Sequence, residues 1–531
     1  MATEQAIEPR TARADITGLG AAELAALIAD GQISALDAVE AHIARIERVD
    51  PQLNAVVVRR YDAARAEARA ADRRRAAGAP LGPLHGVPIT VKECLDLAGT
   101  PSTFGLPARA SLLASADDVY VARARAAGAI VLGKTNVAQL LFHVECDNPV
   151  YGRTSNPWNL ARTPGGSSGG EGAIIAAGGS PLGLGTDIGG SLRYPAASCG
   201  IASMKPTAGR TPDAGRYSAP FGQRAIVSQV GVLARRVADV ALGIEVINGG
   251  RSPAVEPPMP LGDPADVDLA SLRVARYADD GTFAVVPAVR RALDEAAEAL
   301  RRRGAQVTEW RPPDVPRALE LFYGIMSADG GAGMRRTLGR GRRDPRIALL
   351  LTLASRSRPT LAAIGGLLGL LGQRGLASGI KGFGHRDTAH YWRMVEEQLD
   401  YQERFRQALD TGAGGPFDVI LCPATALPAW THGAAQNLSL GGAYTALYNL
   451  LGYPAGVVPV TRVRPGEEIG RAPSRDVVEQ TAYKVEQGSA GLPIGVQVVA
   501  RPWREHVALA AMLAIESTAR ERDDFPHTPA M

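Results

Sequence analysis

Short, mainly apolar runs recur along most of this 531-residue chain, and they set the strongest constraint on its fold. They are rich in branched aliphatic residues and show little alternation of polar and apolar positions, which is typical of strands buried on both faces. The runs are VPITV (87–91), AIVLG (129–133), PLGLG (181–185), RVARYA (273–278), DVILCPA (418–424), AGVVPV (455–460) and GLPIGVQVVA (491–500). We interpret them as core strands.

Helical periodicity separates these runs. Apolar residues spaced three and four apart, such as Val39, Ile43 and Ile46, predict an N-terminal helical layer over 21–77. Similar patterns occupy 232–248, 286–303 and 504–521. Strands that alternate with helices indicate an α/β fold. We therefore predict a large mixed, mostly parallel twisted sheet covered by helices on both faces.

The chain is expected to form one large unit. Residues 1–20 are predicted to be a flexible tail, and 21–531 a single domain with a glycine- and serine-rich core at 82–210. The tail carries acidic residues and lacks the apolar segment of a secretory signal, so the cytoplasm is the expected location. The four cysteines are widely spaced and have no histidine cluster beside them, which argues against a disulfide scaffold or a zinc site.

The charged residues argue against a nucleic-acid partner. The chain has 58 basic and 54 acidic side chains, and its arginines alternate with acids, as in YDAARAEARAADRRR (61–75). That pattern is typical of a solvated helical face. Only five of the 58 basic residues are lysine. Because arginine predominates so strongly, each lysine is a candidate for a task that arginine cannot perform.

One apolar segment stands apart at about 345–381. Residues 347–355 and 359–373 contain no charge, and each is shorter than the roughly 18 apolar residues of a membrane-spanning helix, so none is predicted. Four residues share one helical face: Leu361, Ile364, Leu368 and Leu371. This predicts an amphipathic helical hairpin. Two alternatives stay open: burial against the body or in a homodimer, or a cap over 347–373 that lies on a membrane or admits an apolar substrate.

Two glycine- and serine-rich clusters follow one another, TPGGSSGGEG (163–172) and GTDIGGS (185–191). Neither has the lysine of a Walker A loop, and GLGTDIG matches a dinucleotide fingerprint only with one residue inserted. GGSSG (165–169) fits the G-x-S-x-G nucleophile elbow, but a segment with two prolines precedes it instead of a strand. No histidine beyond it lies in a recognisable triad setting.

A serine hydrolase without histidine needs another base. A lysine can act if burial lowers its pKa enough to leave the amine neutral, whereas arginine stays protonated. Lys92 ends an apolar run in HGVPITVKE (85–93) and is a candidate base, the alternative being a lysine at a strand end. The glycines before Ser191 can turn backbone N–H groups toward an oxyanion, or merely form a tight turn. The residues alone do not decide between Ser167 and Ser191 as nucleophile.

Taken together, GVPITVKE, GGSSGG and GTDIGGS resemble the amidase signature family, with 75 and 24 residues separating Lys92, Ser167 and Ser191. The resemblance extends to SMKPTAGR (203–210), YPAGVVPV (453–460) and GLPIGVQVVA. It is strongest toward the fatty acid amide hydrolase branch, in GGSSGGEG, PLGLGTDIGGS, QLLFHVECDNPVYG (139–152) and PAGVVPVT.

The resemblance implies a Ser-Ser-Lys triad, with Ser191 as nucleophile, Ser167 as a bridging serine after a cis peptide bond, and Lys92 as base. It also assigns the oxyanion and substrate contacts, which are Ile188, Gly189, Gly190, Ser191, Ser167, Leu141 and Phe142. No metal or cofactor is implied. The expected activity is hydrolysis of carboxylic amides, preferentially those with hydrophobic or fatty acyl chains, through an acyl-enzyme.

Other functions stay open at this point. They are an amidase or esterase for small aryl amides or carbamates, an amidotransferase subunit that needs partner subunits, and an inactive amide-binding protein. Lys205, in MKPT, is a rival lysine that we expect to be structural. Asp187 and Arg193 flank the nucleophile loop, and we expect them to fix it by hydrogen bonds.

Overall fold

A central sheet organises the fold in the computed structural model, which describes residues 16–212, 222–249, 259–412, 414–438 and 443–531. The strands are β1 Val56–Arg59, β2 Pro88–Lys92, β3 Ile130–Thr135, β4 Asp147–Asn148, β5 Gly152–Arg153, β6 Leu182–Asp187, β7 Ala202–Lys205, β8 Gln229–Ala234, β9 Arg273–Arg276, β10 Gln306–Glu309, β11 Val419–Pro423, β12 Ala455–Arg462 and β13 Pro493–Ala500. Eleven of them form one sheet in the order β1-β3-β2-β6-β8-β7-β12-β13-β11-β9-β10, and β4 pairs with β5.

The strand directions correct the prediction of a mostly parallel sheet. Strand β2 runs parallel to β3 and β6, and β9 runs parallel to β10 and β11. The other six neighbouring pairs of the large sheet are antiparallel. Helices cover both faces, so a strand is apolar throughout whichever way it runs. The apolar runs therefore predicted burial correctly but carried no information on direction.

The helices are α1 Ala21–Ala29, α2 Ala35–Leu53, α3 Tyr61–Ala76, α4 Val119–Ala126, α5 Gly169–Ala176, α6 Arg193–Cys199, α7 Val237–Ile247, α8 Pro287–Arg302, α9 Val315–Ser327, α10 Ala332–Leu338, α11 Pro345–Ser355, α12 Arg358–Leu370, α13 Arg374–Ile380, α14 Thr388–Asp410, α15 Ala443–Leu450, α16 Val477–Glu486 and α17 Glu505–Ala519. The predicted N-terminal layer is confirmed as α1 to α3, and Val39, Ile43 and Ile46 are buried.

Each of the seven predicted core strands overlaps a strand of the large sheet. The layer over 21–77 is interrupted by β1, whose three consecutive valines favour extended backbone. Residues 232–234 belong to β8 and not to the helix predicted over 232–248, because that helix begins only at Val237. Residues 1–15 of the predicted tail lie outside the described residues.

The predicted apolar hairpin is present as α11 and α12, which meet at a bend of 116°. No single helix within the described ranges has the length and composition to cross a membrane. Among the described helices, only α11 and α12 taken together are long and apolar enough, and the bend separates them. Leu361 is buried, whereas Ile364 and Leu371, on the same predicted face, are 40% and 66% exposed. We call the segment 345–380 the cap.

Candidate active site

Lys92 is the last residue of β2, and parallel pairing with β3 and β6 holds that strand inside the sheet. Its side chain has no solvent exposure. The Nζ atom lies 2.9 Å from Ser167 Oγ and 2.8 Å from Thr186 Oγ1. A lysine amine is therefore fixed against a serine hydroxyl in a site without bulk water. Such a setting disfavours the charged form of an amine.

Ser167 lies in the loop that leads into α5, and its side chain is buried. The peptide bond between Gly166 and Ser167 is cis, as the resemblance implied. The loop fits only without side chains before Ser167, because a Cβ on Gly166 would lie 2.9 Å from the backbone of Val144. The next residue, Ser168, donates its N–H to Ser191 O at 3.3 Å and so joins the two serine loops.

Ser191 lies in the turn between β6 and α6. Gly190 has a φ of 123°, and a Cβ there would lie 2.2 Å from Thr445 Oγ1, so only glycine fits. The Asp187 carboxylate accepts the N–H of Gly190 at 2.8 Å and that of Leu192 at 3.1 Å. The nucleophile loop is thus tied to the end of its own strand.

Arg193 completes this tie from the other side. Its guanidinium donates to both Asp187 oxygens at 3.0 Å, and neither side chain is exposed. Burial opposes the charge of Asp187, but the adjacent Arg193 outweighs it and holds the pKa of the carboxyl below its ordinary value. The expectation that Asp187 and Arg193 fix the loop is confirmed.

The backbone amides of the loop are mostly available for a ligand. In the described part of the chain, no group accepts a hydrogen bond from the N–H of Gly189 or Ser191. The N–H of Gly190 is already donated to Asp187, so it would have to be shared with an oxyanion. Thr445 Oγ1 donates to the Gly189 carbonyl at 2.8 Å, which orients that peptide unit.

A cavity of about 390 Å³ opens beside Ser191, which is partly exposed to it. Leu141 and Phe142 lie on its wall, as do Ile188 and Gly189. Its other walls come from segments far away in the sequence: Phe322, Tyr323 and Met326 of α9, and Leu349, Leu353, Ile364, Leu368 and Ile380 of the cap. The lining is largely apolar, which suits an apolar ligand with one reactive polar end.

A buried ionic cluster attaches the cap to the core. Arg346, near the start of α11, lies 2.7 Å from Glu145 Oε2 and 3.0 Å from Asp147 Oδ2. The same guanidinium binds Asp344, the residue that caps α11. Glu145 also accepts the N–H groups of Gly433 and Ala435. One arginine therefore joins the cap to the segment that carries Leu141 and Phe142.

The rival lysine does not line the cavity. Lys205 ends β7, is fully buried, and donates to the Pro206 carbonyl at 2.9 Å. Burial lowers its pKa to about 7. The sequence interpretation missed Thr186, although it lies inside GTDIGGS, because its contact with Lys92 depends on strand pairing. It also missed the cavity residues of α9, whose only signal was helical periodicity.

The chain is similar to known proteins along most of its length. The Amidase family profile matches residues 37–509. Fatty-acid amide hydrolase 1 of Sus scrofa is 36% identical over 446 residues, 82% of this chain and 76% of that protein. Indoleacetamide hydrolase of Bradyrhizobium diazoefficiens is 34% identical over 514 residues, 94% of this chain and 86% of that protein. A solved fatty acid amide hydrolase superposes with a TM-score of 0.83 at 26% identity, covering 96% of this chain and 86% of that chain.

Proposed function

This chain belongs to the amidase family and hydrolyses carboxylic amides, and from that premise we propose that it acts on amides with long apolar acyl chains through an acyl-enzyme on Ser191. The observation that carries the proposal is the largely apolar cavity of about 390 Å³ with Ser191 on its wall. A pocket of this kind binds through apolar contact area and orients its ligand through a few polar groups.

The reaction begins with two proton transfers. Neutral Lys92 takes the proton of Ser167, Ser167 takes that of Ser191, and the Ser191 oxygen attacks the amide carbonyl carbon. The proton then returns along the same path to the amine nitrogen, because an amine leaves far more readily than an amide anion. The carbon–nitrogen bond breaks and leaves the acyl group on Ser191. Water then attacks the ester by the same relay, which releases the acid and restores the serine.

The negative charge on the carbonyl oxygen needs donors that are already oriented. The N–H groups of Gly189 and Ser191 supply them, with Ile188 beside them and Gly190 holding the turn. One such donor is worth about 10²–10³ in kcat in serine hydrolases. Arg193 and Asp187 keep these amides in place and do not take part in the bond changes.

Substrate preference follows from the cavity wall. Each methylene group transferred from water into the cavity gains about 0.8 kcal/mol, or roughly fourfold in kcat/KM. A series of linear acyl amides of increasing length, with one common leaving amine, tests this directly. We expect kcat/KM to rise with chain length until the cavity is filled. A flat profile would contradict the acyl preference but leave the catalytic assignment intact.

Small aryl amides are the second candidate, favoured by the likeness to the Bradyrhizobium indoleacetamide hydrolase. An aromatic acyl group would contact the Phe322 and Tyr323 side of the cavity. The same amide series therefore includes indoleacetamide. A kcat/KM above that of the best linear acyl amide would favour this candidate.

We further propose that the outer face of the cap lies on an anionic membrane surface. Leu370 and Leu371 are 88% and 66% exposed, and three exposed arginines lie near the ends of α12: Arg356, Arg358 and Arg374. An exposed segment that carries both apolar and basic side chains favours anionic lipid interfaces.

Sedimentation with vesicles of anionic phospholipid tests the membrane proposal. We expect the wild type to bind and the L370E/L371E variant to lose binding. Leu399→Glu is the matched control, because Leu399 is an exposed leucine on α14, outside the cap. A mass twice that of the chain in analytical ultracentrifugation, lost in L370E/L371E and without vesicle binding, would instead assign this face to a homodimer.

A further inference from the structure

A second ionisable residue lies close to Lys92 and has no part in the relay described above. Glu171 is in the first turn of α5, four residues after Ser167, and its side chain has no solvent exposure. Its Oε2 lies 2.6 Å from Thr90 Oγ1, and its Oε1 lies 2.9 Å from Thr135 Oγ1. Both carboxyl oxygens are thus engaged by neutral hydroxyls.

The two threonines are the neighbours of Lys92 in the sheet. Thr90 precedes Lys92 by two residues on β2, so both side chains point to the same face. Thr135 is the residue of β3 that pairs with Lys92. Through them, Glu171 fastens the helix that follows Ser167 onto the strand that carries Lys92. The 2.9 Å contact between Lys92 and Ser167 joins the same strand to the loop that leads into this helix.

The sheet leaves room for this carboxyl. Gly183 of β6 pairs with Thr90, and a Cβ at Gly183 would lie 2.0 Å from Glu171 Oε2. No side chain larger than that of glycine fits there while the carboxyl keeps its place. Gly183 is the first glycine of PLGLG and of GLGTDIG, the segment that partly matches a dinucleotide fingerprint. Its contact with Glu171 accounts for a glycine at this position without a nucleotide.

The surroundings of Glu171 disfavour a negative charge. Burial raises the pKa of its carboxyl to about 8, although Thr90, Thr135 and Lys92 all act in the opposite direction. The group is therefore mostly protonated at neutral pH. An ionised carboxyl at this position would favour the ammonium form of Lys92, and an ammonium ion has no lone pair with which to take a proton from Ser167.

The other titratable groups on the elements packed against α5 do not reverse the preference of Glu171 for its protonated form. Burial lowers the pKa of His42 on α2 to about 4 and raises that of the Cys146 thiol to about 12, so both are neutral. Arg193 of α6 is directed to Asp187. Arg235, after β8, binds the Ile175 carbonyl at the opposite end of α5. Cys199 of α6 is a buried thiol whose pKa burial also raises.

We propose that Glu171 is a positioning residue for the Lys92–Ser167 pair: an uncharged carboxylic acid that holds α5 against β2 without placing an anion beside the base. The proposal rests on the proposed role of Lys92. Its first test does not depend on that role, because it measures the protonation of Glu171 through stability.

The first test compares the melting temperatures of the wild type and Glu171→Gln between pH 5 and 9. A carboxyl with a raised pKa keeps its proton in the folded state and loses it in the unfolded state, so wild-type stability falls as pH rises from about 4.5 to 8. Glutamine does not titrate. We expect the Tm of E171Q relative to wild type to rise by about 4 °C over this range and then level off. A constant difference would overturn the proposal.

The second test is kinetic. E171Q keeps the shape and neutrality of the side chain, so we expect kcat/KM at pH 7 within about threefold of wild type and an unchanged acidic limb of the pH profile. An acidic limb shifted to lower pH by about one unit would show that an anion had been raising the pKa of Lys92, and would overturn the proposal.

Glu171→Asp tests whether the length of the side chain positions the Lys92–Ser167 pair, because the shorter side chain cannot contact both threonines. We expect kcat to fall about tenfold with KM unchanged. Glu516→Asp is the control, since Glu516 is also buried but lies on α17. An equal loss of kcat in both variants would overturn the positional role. Full activity in Ser191→Ala would instead refute the proposed function and leave the Tm result standing.

Discussion

The nucleophile loop and the cap differ in how their atoms are held. Around Ser191, hydrogen bonds hold the side chains that support the reaction: Asp187 accepts two backbone amides and two N–H groups of Arg193, and Lys92 is fixed between two hydroxyls. The cap meets the cavity mainly through leucine and isoleucine side chains, and its buried anchor to the core is Arg346. Directional contacts fix the reacting atoms, whereas apolar contacts tolerate ligands of different length. Changes in the loop are therefore expected to alter kcat, and changes in the cap to alter preference.

The largest effect is expected at Lys92. Lys92→Arg keeps the positive charge but cannot provide a neutral base, so kcat should fall by about 10³–10⁴ with little change in substrate binding. Lys92→Met should lose as much. Lys205→Met is the matched control, because it removes another fully buried lysine, one that does not line the cavity, and should keep kcat within about tenfold. Retained activity in K92R would show that no neutral amine is required at this position.

The next effect concerns the ion pair under the loop. Arg193→Met leaves a buried carboxylate without its partner. We expect the free energy of unfolding to fall by about 3–5 kcal/mol and kcat to fall in the same variant. Arg210→Met breaks a second fully buried pair, Arg210–Glu505, and should lower stability without a comparable loss of kcat. Denaturant unfolding and steady-state kinetics measure both. Equal kinetic losses would remove the distinction between the loop and the rest of the core.

The same pair has a pH signature. The pKa of Asp187 is lowered in the folded state, so its stabilising contribution is present above the ordinary value of 3.8 and is lost as pH falls below it. Wild type should therefore lose stability below about pH 4 more steeply than R193M. Parallel stability curves for the two proteins between pH 4 and 2 would contradict this assignment.

The sequence was most informative where chemistry is carried by contiguous residues. GTDIGGS holds the nucleophile, the turn glycine and the carboxylate that orders them, so their relation is local. Strand direction could not be predicted, because apolar runs buried by helices on both faces look alike in either direction. Glu171 lay inside GGSSGGEG, yet its role depends on Thr90 and Thr135, which pair with it only in the folded sheet. The cavity residues of α9 were hidden for the same reason.

The smallest effect tests the cap. Leu368 lines the cavity, whereas Leu367, the preceding residue of α12, is 59% exposed. Leu368→Gln places an amide against apolar substrate at a cost of about 1–2 kcal/mol, or roughly tenfold in kcat/KM for a long acyl amide. A short acyl amide should be hydrolysed at nearly the wild-type rate. Leu367→Gln should change neither rate, and a similar loss in both variants would contradict the assignment of the cavity.

The central claim is that Ser191, activated through Ser167 and Lys92, carries the acyl group. Mass spectrometry of the intact protein, quenched during turnover of a slowly hydrolysed amide and followed by peptide mapping, tests it most directly. We predict a mass increase equal to one acyl group on the peptide that contains Ser191, and its absence in Ser191→Ala. An acyl group on Ser167, or turnover with no covalent adduct and full activity in Ser191→Ala, would contradict the account.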